Sequence, residues 1–102
     1  MELEFSGEIW EWRGPAPFHF VTVPPDESDQ IAAVAGGLTY GWGAVPVSAR
    51  IGSTDFTTSL FPRDDSYLLP VKAAVRKAER IELGDTIDVS LHLELDRKPR
   101  QR

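Results

Sequence analysis

From Glu2 to Ile9 the chain alternates, with Leu3, Phe5, Gly7 and Ile9 on one parity and Glu2, Glu4, Ser6 and Glu8 on the other. A repeat of two is the period of a strand that lays one face on a core. Trp10 and Trp12 then fall on the polar parity. Their placement predicts either a bulge that switches faces or a stretch covered on both sides. Gly14-Pro15-Ala16-Pro17 is a turn, and Phe18 to Val23 return as a second strand, with Pro17 demoting its start to an edge or bulge. Pro24-Pro25 stop that strand. Asp26 or Ser28 can cap the helix that follows, and Asp26, Glu27 and Asp29 suit its positive end. Ile31, Val34, Ala35 and Leu38 form its buried stripe, and Gly36-Gly37 can close it.

Val45, Val47, Ala49 and Ile51 give the cleanest strand pattern in the middle of the chain. Gly52-Ser53-Thr54-Asp55 makes a tight turn, and Phe56, Thr58 and Leu60 alternate on the way back. Pro62-Arg63-Asp64-Asp65-Ser66 is the next turn. Tyr67 to Leu69 form a short strand closed by Pro70, a residue suited to the first position of a helix. In that helix Val71, Ala74, Val75 and Ala78 repeat the buried-stripe spacing, with Lys72, Arg76 and Arg80 on another side. Gly84-Asp85 leads into Ile87, Val89, Leu91, Leu93 and Leu95, the longest alternating run in the chain.

One pattern occurs twice: a strand running into proline, a short amphipathic helix, and a second apolar strand. The first copy runs from His19 to Pro25, past Ile31, to Val45–Ile51. The second runs from Tyr67 to Pro70, past Val75, to Gly84–Leu91. The two copies share little residue identity. Neither buries an apolar face by itself, so each is expected to complete the other. The expected fold is mainly β: a small six- to seven-stranded β-barrel of the double-split type with two short helices, closure removing the exposed edges. The barrel is expected to occupy 1–96 as a single domain, with 97–102 a basic, disordered tail.

Composition narrows the chemistry. With 102 residues and no cysteine, thiol nucleophiles, disulfides and thiolate metal sites are excluded, and a core of this size can stand without them. The acidic, alternating start is the reverse of a signal peptide, and no apolar run approaches the roughly 20 residues of a membrane span. A soluble cytoplasmic protein is expected. Net charge is −5, but Arg97, Lys98, Arg100 and Arg102 hold four of the eleven bases. The rest of the chain therefore sets seven bases against sixteen acids, or −9. A body that acidic repels phosphate backbones, so nucleic acid is disfavoured as a partner.

Three stretches carry a resemblance: Tyr40-Gly41-Trp42-Gly43-Ala44-Val45-Pro46-Val47, Thr57-Thr58-Ser59-Leu60-Phe61-Pro62, and Tyr67 to Ala78 with Gly84-Asp85 after it. Together they resemble a small bacterial family catalogued as a domain of unknown function, number 1905, over Phe5 to Leu93. The resemblance implies a compact β-barrel, sometimes fused to a domain related to bacteriocin-protection proteins. That partner domain is expected to be missing from this chain. No catalytic residues come with the family. The second half also resembles the swapped-hairpin barrels of bacterial transition-state regulators and antitoxins, through Leu69-Pro70, Lys72, Arg76 and Gly84-Asp85. Those proteins build one barrel from two chains and bind DNA.

Candidate chemistry is sparse. Gly41-Trp42-Gly43 leaves an indole unobstructed, suiting a lid or stacking platform, or else a plug for one end of the barrel. Lys72, Arg76 and Arg80, with Arg50, could hold a carboxylate or phosphate, or they form a solvated helix face partnered by Glu79 and Glu82. His19 and His92 are far apart in sequence. Thr57-Thr58-Ser59 lacks an activating base, and Asp64-Asp65 belongs to a turn. No catalytic residue, metal or cofactor is assigned. The expected function is a non-enzymatic binding or interaction module. It would hold a small anionic or aromatic ligand, or a protein partner, at the barrel end near Trp42, through Tyr40, Trp42, Arg50, Lys72 and Arg76. A monomeric relative of the swapped-hairpin DNA binders is the alternative, and an enzyme with an unrecognised constellation comes third.

Overall fold

Alternation produces a strand in each region where one was expected, although the last run stops at His92 short of Leu93, and the computed structural model, which describes residues 1–14, 17–35 and 43–94, contains six strands. They are β1 (Glu2–Trp12), β2 (Phe18–Thr22), β3 (Val45–Ile51), β4 (Thr54–Arg63), β5 (Ser66–Pro70) and β6 (Thr86–His92). Helix α1 (Pro25–Ala35) joins β2 to β3, and α2 (Ala73–Glu79) joins β5 to β6. The strands close into a barrel in the order β1-β2-β5-β4-β3-β6, with every neighbouring pair antiparallel. Among the described residues, closure leaves no edge strand to pair with another chain.

The inward parity is the core. Val21, Val45, Leu60, Leu69 and Leu91 are almost wholly buried, each stabilising the fold by about 1.5–3 kcal/mol. Ile31 of α1 and Val75 of α2 join the same cluster. Gly7 also lies on the inward parity, for a steric reason. A Cβ there would stand 2.6 Å from Cγ1 of the fully buried Val21.

The doubled pattern is a true pseudo-twofold in the pairing scheme. Exchanging β1 with β4, β2 with β5 and β3 with β6 returns the same six strand pairs. Hydrogen bonds obey the same exchange. Val23 N donates to Tyr67 O at 2.8 Å, and Val71 N donates to His19 O at 2.9 Å. At the head of each helix, Ser28 N donates to Pro24 O and Arg76 N to Lys72 O. The side chains at those positions also correspond. Ser28 Oγ donates to Val23 O at 3.0 Å, and Arg76 Nε donates to Val71 O at 3.1 Å.

Several local expectations are corrected. Helix α1 begins at Pro25, so neither Asp26 nor Ser28 is its cap. Ser28 lies inside the first turn, buried, bonded to Val23 O and accepting from Tyr67 N. Pro70 is the last residue of β5, paired with Phe20, rather than the start of a helix. Helix α2 begins three residues later and is short. Val71 precedes it, Ala74 and Ala78 are exposed, and Val75 is its buried residue. Lys72 and Arg80 are its N-cap and C-cap, Arg80 adopting the left-handed conformation. Leu38, Gly36-Gly37, Leu95 and the tail 97–102 lie outside the described residues.

Gly7→Ala is expected to destabilise the barrel by about 1–3 kcal/mol through overpacking against Val21. Combined with Val21→Ala, its cost should largely disappear. Chemical denaturation of the two single variants and the double variant checks this, and strictly additive losses would rule out the steric explanation.

Candidate functional site

Trp10 and Trp12 keep to the outward parity of β1 with no bulge, since the register with β2 runs unbroken from Ile9↔Val21 to Trp12↔Phe18. Trp10 stands opposite Phe20, and Trp12 opposite Phe18. Across the next ladder Phe20 meets Pro70, and beyond it Leu68 of β5 meets Phe61 of β4. Directly opposed residues share a face. These seven side chains therefore make one outer wall across β1, β2, β5 and β4, apolar on the solvent side as well as the core side.

The wall is ordered by its own contacts. The Trp10 and Phe20 ring centroids lie 5.4 Å apart, and those of Phe18 and Phe20 lie 5.9 Å apart in a stacked pair. Trp10 Nε1 donates to Thr22 Oγ1 at 3.0 Å. The Arg63 guanidinium sits 4.8 Å from the Trp12 ring and 5.8 Å from the Trp10 ring, a cation–π arrangement over both indoles. Trp12 is 42% exposed, Phe18 53% and Phe61 44%. Among the described residues, Leu83 is the fourth large hydrophobic so exposed, so three of the four belong to this wall.

Two depressions cut the wall on either side of the Phe18–Phe20 stack. One, of about 420 Å³, is lined by the apolar Phe18, Phe20, Phe61, Pro70 and Val71 together with His19, Thr58 and Lys72. The other, of about 240 Å³, lies between Trp12, Phe18, Phe20, Pro62 and Leu68, with Arg63 beside them. The lining of each hollow thus includes one basic side chain, Lys72 in the first and Arg63 in the second.

The opposite side of the barrel is polar. There a groove of about 610 Å³ is lined by Glu2, Ser48, Arg50, Asp55, Thr57, Ser90 and His92, among others. Its charges are paired internally. Arg50 lies 3.3 Å from Asp55 and donates to Gly52 O. His92 contacts Glu2, directly across the β1–β6 ladder, and lies 3.6 Å from Glu94.

Of the residues expected to form a site, Tyr40 and Trp42 lie outside the described residues. Arg50 and Lys72 occupy different grooves on opposite walls of the barrel. Arg76 is half-buried, its Nε committed to Val71 O. Trp12, Phe18, Phe61 and Arg63 belong to the wall without having been among the expected site residues. Their signal was present in the chain as apolar residues on both parities of the same strands. Among the described residues no group of three or more His, Asp or Glu is placed to hold a metal, and no helix is long and apolar enough to cross a membrane.

Arg76→Ala is expected to cost about 1–2 kcal/mol by leaving the Val71 carbonyl without its donor. Lys72→Ala, at an exposed N-cap making no side-chain cap bond, should cost under about 0.5 kcal/mol. Urea unfolding of the two variants separates these roles, and equal small losses would show that the Arg76 bond is not structural.

One comparison with known proteins is informative. A family model described as a domain of unknown function, DUF1905, matches residues 5–91. No curated protein matches the chain.

Proposed function

Because the chain belongs to the DUF1905 family, which is defined without an assigned activity, we propose on physical grounds that it is a non-enzymatic interaction module. Its contact surface is the outer wall of β1, β2, β5 and β4. The observation that carries the proposal is the contiguous exposure of Trp12, Phe18 and Phe61 on a strand face where alternation would ordinarily put polar residues. A contiguous apolar patch rimmed by charge marks a contact site, since leaving it in water forfeits hydrophobic free energy. Planar rings supply large contact area with little side-chain entropy to lose. The hollows either side of the Phe18–Phe20 stack would receive apolar or aromatic groups of the partner. Lys72 and Arg63 would meet anionic groups beside them.

This relocates the expected contact from the barrel end near Trp42 to the barrel's side. It keeps Lys72, together with the expected ligand chemistry of aromatic and anionic groups. Arg50 and Arg76 are engaged elsewhere.

Anilinonaphthalene sulfonate, an anionic aromatic probe, tests the proposal. Native protein at low micromolar concentration is expected to bind it saturably. Phe18→Ser combined with Phe61→Ser should weaken binding at least tenfold, while Leu83→Ser should leave it unchanged. Circular dichroism verifies that each variant is folded. Binding that persists undiminished in the folded double variant would eliminate the wall as the contact surface.

A further inference from the structure

Resting on that proposed contact surface and deepening it, we infer that the larger hollow is a binding site for a small aromatic carboxylate. The ring would lie against Phe18, Phe20 and Phe61, with the carboxylate toward Lys72. The hollow opens where two strands part. The β4–β5 ladder ends at Phe61↔Leu68, while Leu69 and Pro70 continue in register with β2. Successive N–H groups of a strand point to opposite neighbours. Val71 N donates to His19 O on β2, so position 70 faces β4, and Pro70 has no N–H to offer it. Through this split the lining draws on both faces of the sheet. Phe18, Phe20, Phe61 and Pro70 come from the outer face, whereas His19 and Thr58 stand on the parity of the fully buried Val21 and Leu60. The site is a recess into the wall rather than a stretch of its outer surface.

Three polar side chains line the recess: the Lys72 ammonium, the Thr58 hydroxyl and the His19 imidazole. Among the described residues, none of the three makes a side-chain hydrogen bond or ion pair. No carboxylate of the described residues lines it. Glu11, directly opposite His19, lies 3.6 Å from Arg13, and Glu8 and the acids of α1 are absent from the lining. The fold does not require the polar groups. Under the twofold exchange, Gly7↔Ile87 matches Thr58↔Val47, and the reciprocal backbone bonds match Tyr67 with His19 and Pro24 with Lys72. One half of the barrel therefore closes with Gly7, Tyr67 and Pro24 where the other places a hydroxyl, an imidazole and an ammonium. A mostly apolar recess with a few unpaired polar groups is the usual form of a small-molecule site. One full positive charge beside two neutral donors suits a monoanion, and a carboxylate can accept from all three. The three phenylalanine rings suit a planar apolar body, and about 420 Å³ is ample for one.

Calorimetric titration of the full chain with β-naphthoate, and with the neutral β-naphthamide of the same shape, decides the matter. The expected result is saturable binding of naphthoate, with the amide weaker by roughly tenfold. Lys72→Met should abolish that preference for the acid, and Thr58→Val should weaken naphthoate binding by roughly threefold. Leu83→Ser should change neither. Lys72 is exposed and Thr58 half-buried, so the variants are expected to fold, and circular dichroism checks that. An amide bound as tightly as the acid by the wild-type chain would overturn the inference. A preference for the acid that survives Lys72→Met would overturn it equally. Anilinonaphthalene sulfonate, titrated in parallel, separates this inference from the proposal beneath it. If naphthoate fails and probe binding still depends on Phe18 and Phe61, the inference falls and the contact surface stands. If naphthoate fails and probe binding ignores those two residues, both fall.

Discussion

The pairing of β2 with β5 is the constraint on which the molecule depends. Three ladder positions, Phe20↔Pro70, Val21↔Leu69 and Thr22↔Leu68, bring the two halves of the chain together. The reciprocal bonds Val23 N to Tyr67 O and Val71 N to His19 O extend the ladder at both ends. The inward side of this short ladder holds Val21 and Leu69, both without measurable exposure. Its outward side holds Phe20 and Pro70. If the pairing slipped by one residue, every side chain on the moving strand would change faces. Core valine and leucine would then be traded for aromatic rings too large for the barrel interior.

The same pairing explains why one wall is apolar. β2 and β5 are short strands that enter helices almost at once, so their prolines and aromatics occupy the ladder itself. Pro70 lacks an N–H and ends β5 opposite Phe20. On the far side, β3, β6 and the first half of β1 are longer and alternate strictly, leaving Glu2, Ser48, Arg50, Asp88 and His92 in water. Two walls of opposite character follow from one closed sheet. On the polar wall Arg50 is paired with Asp55, and the Ser6 hydroxyl donates to Asp88. The apolar wall leaves three rings exposed and places a cation beside each hollow, and so it is the side with something to gain from a partner.

Much of the architecture was legible in the residue pattern because strand period and core burial are both local consequences of side-chain alternation. The six strands, the two helices and the doubled strand–helix–strand arrangement could all be read that way. Element boundaries were less legible. Pro70 favours a first helical turn in isolation, yet the ladder with Phe20 holds it in the strand. Ser28 favours a cap in isolation, yet it is drawn inside by the Val23 carbonyl and the Tyr67 N–H. Lys72, Arg76 and Arg80 are one turn apart on paper. In the fold they are an N-cap, a half-buried donor to Val71 O and a left-handed C-cap. The apolar wall was legible only as an anomaly, since Trp10 and Trp12 on the polar parity suggested a bulge as readily as a second apolar face.

Alternation determined that the chain would make amphipathic strands, and turn-forming residues such as Gly52 and Asp64-Asp65 marked where strands would reverse. The acidic excess made a polyanionic partner unfavourable, and the absence of cysteine removed thiol chemistry. Those properties reside in single residues and near neighbours. Which strands lie side by side was decided only in three dimensions, because pairing joins positions as remote as Glu2 and His92. Only that arrangement gathers Trp12, Phe18, Phe61 and Arg63 onto one face, moves Arg50 to the opposite one, and sets Val21 over Gly7 where a Cβ would collide. Local preference specifies the faces of each strand. Neighbourhood depends on the free energy of closing the whole barrel, to which every strand contributes at once.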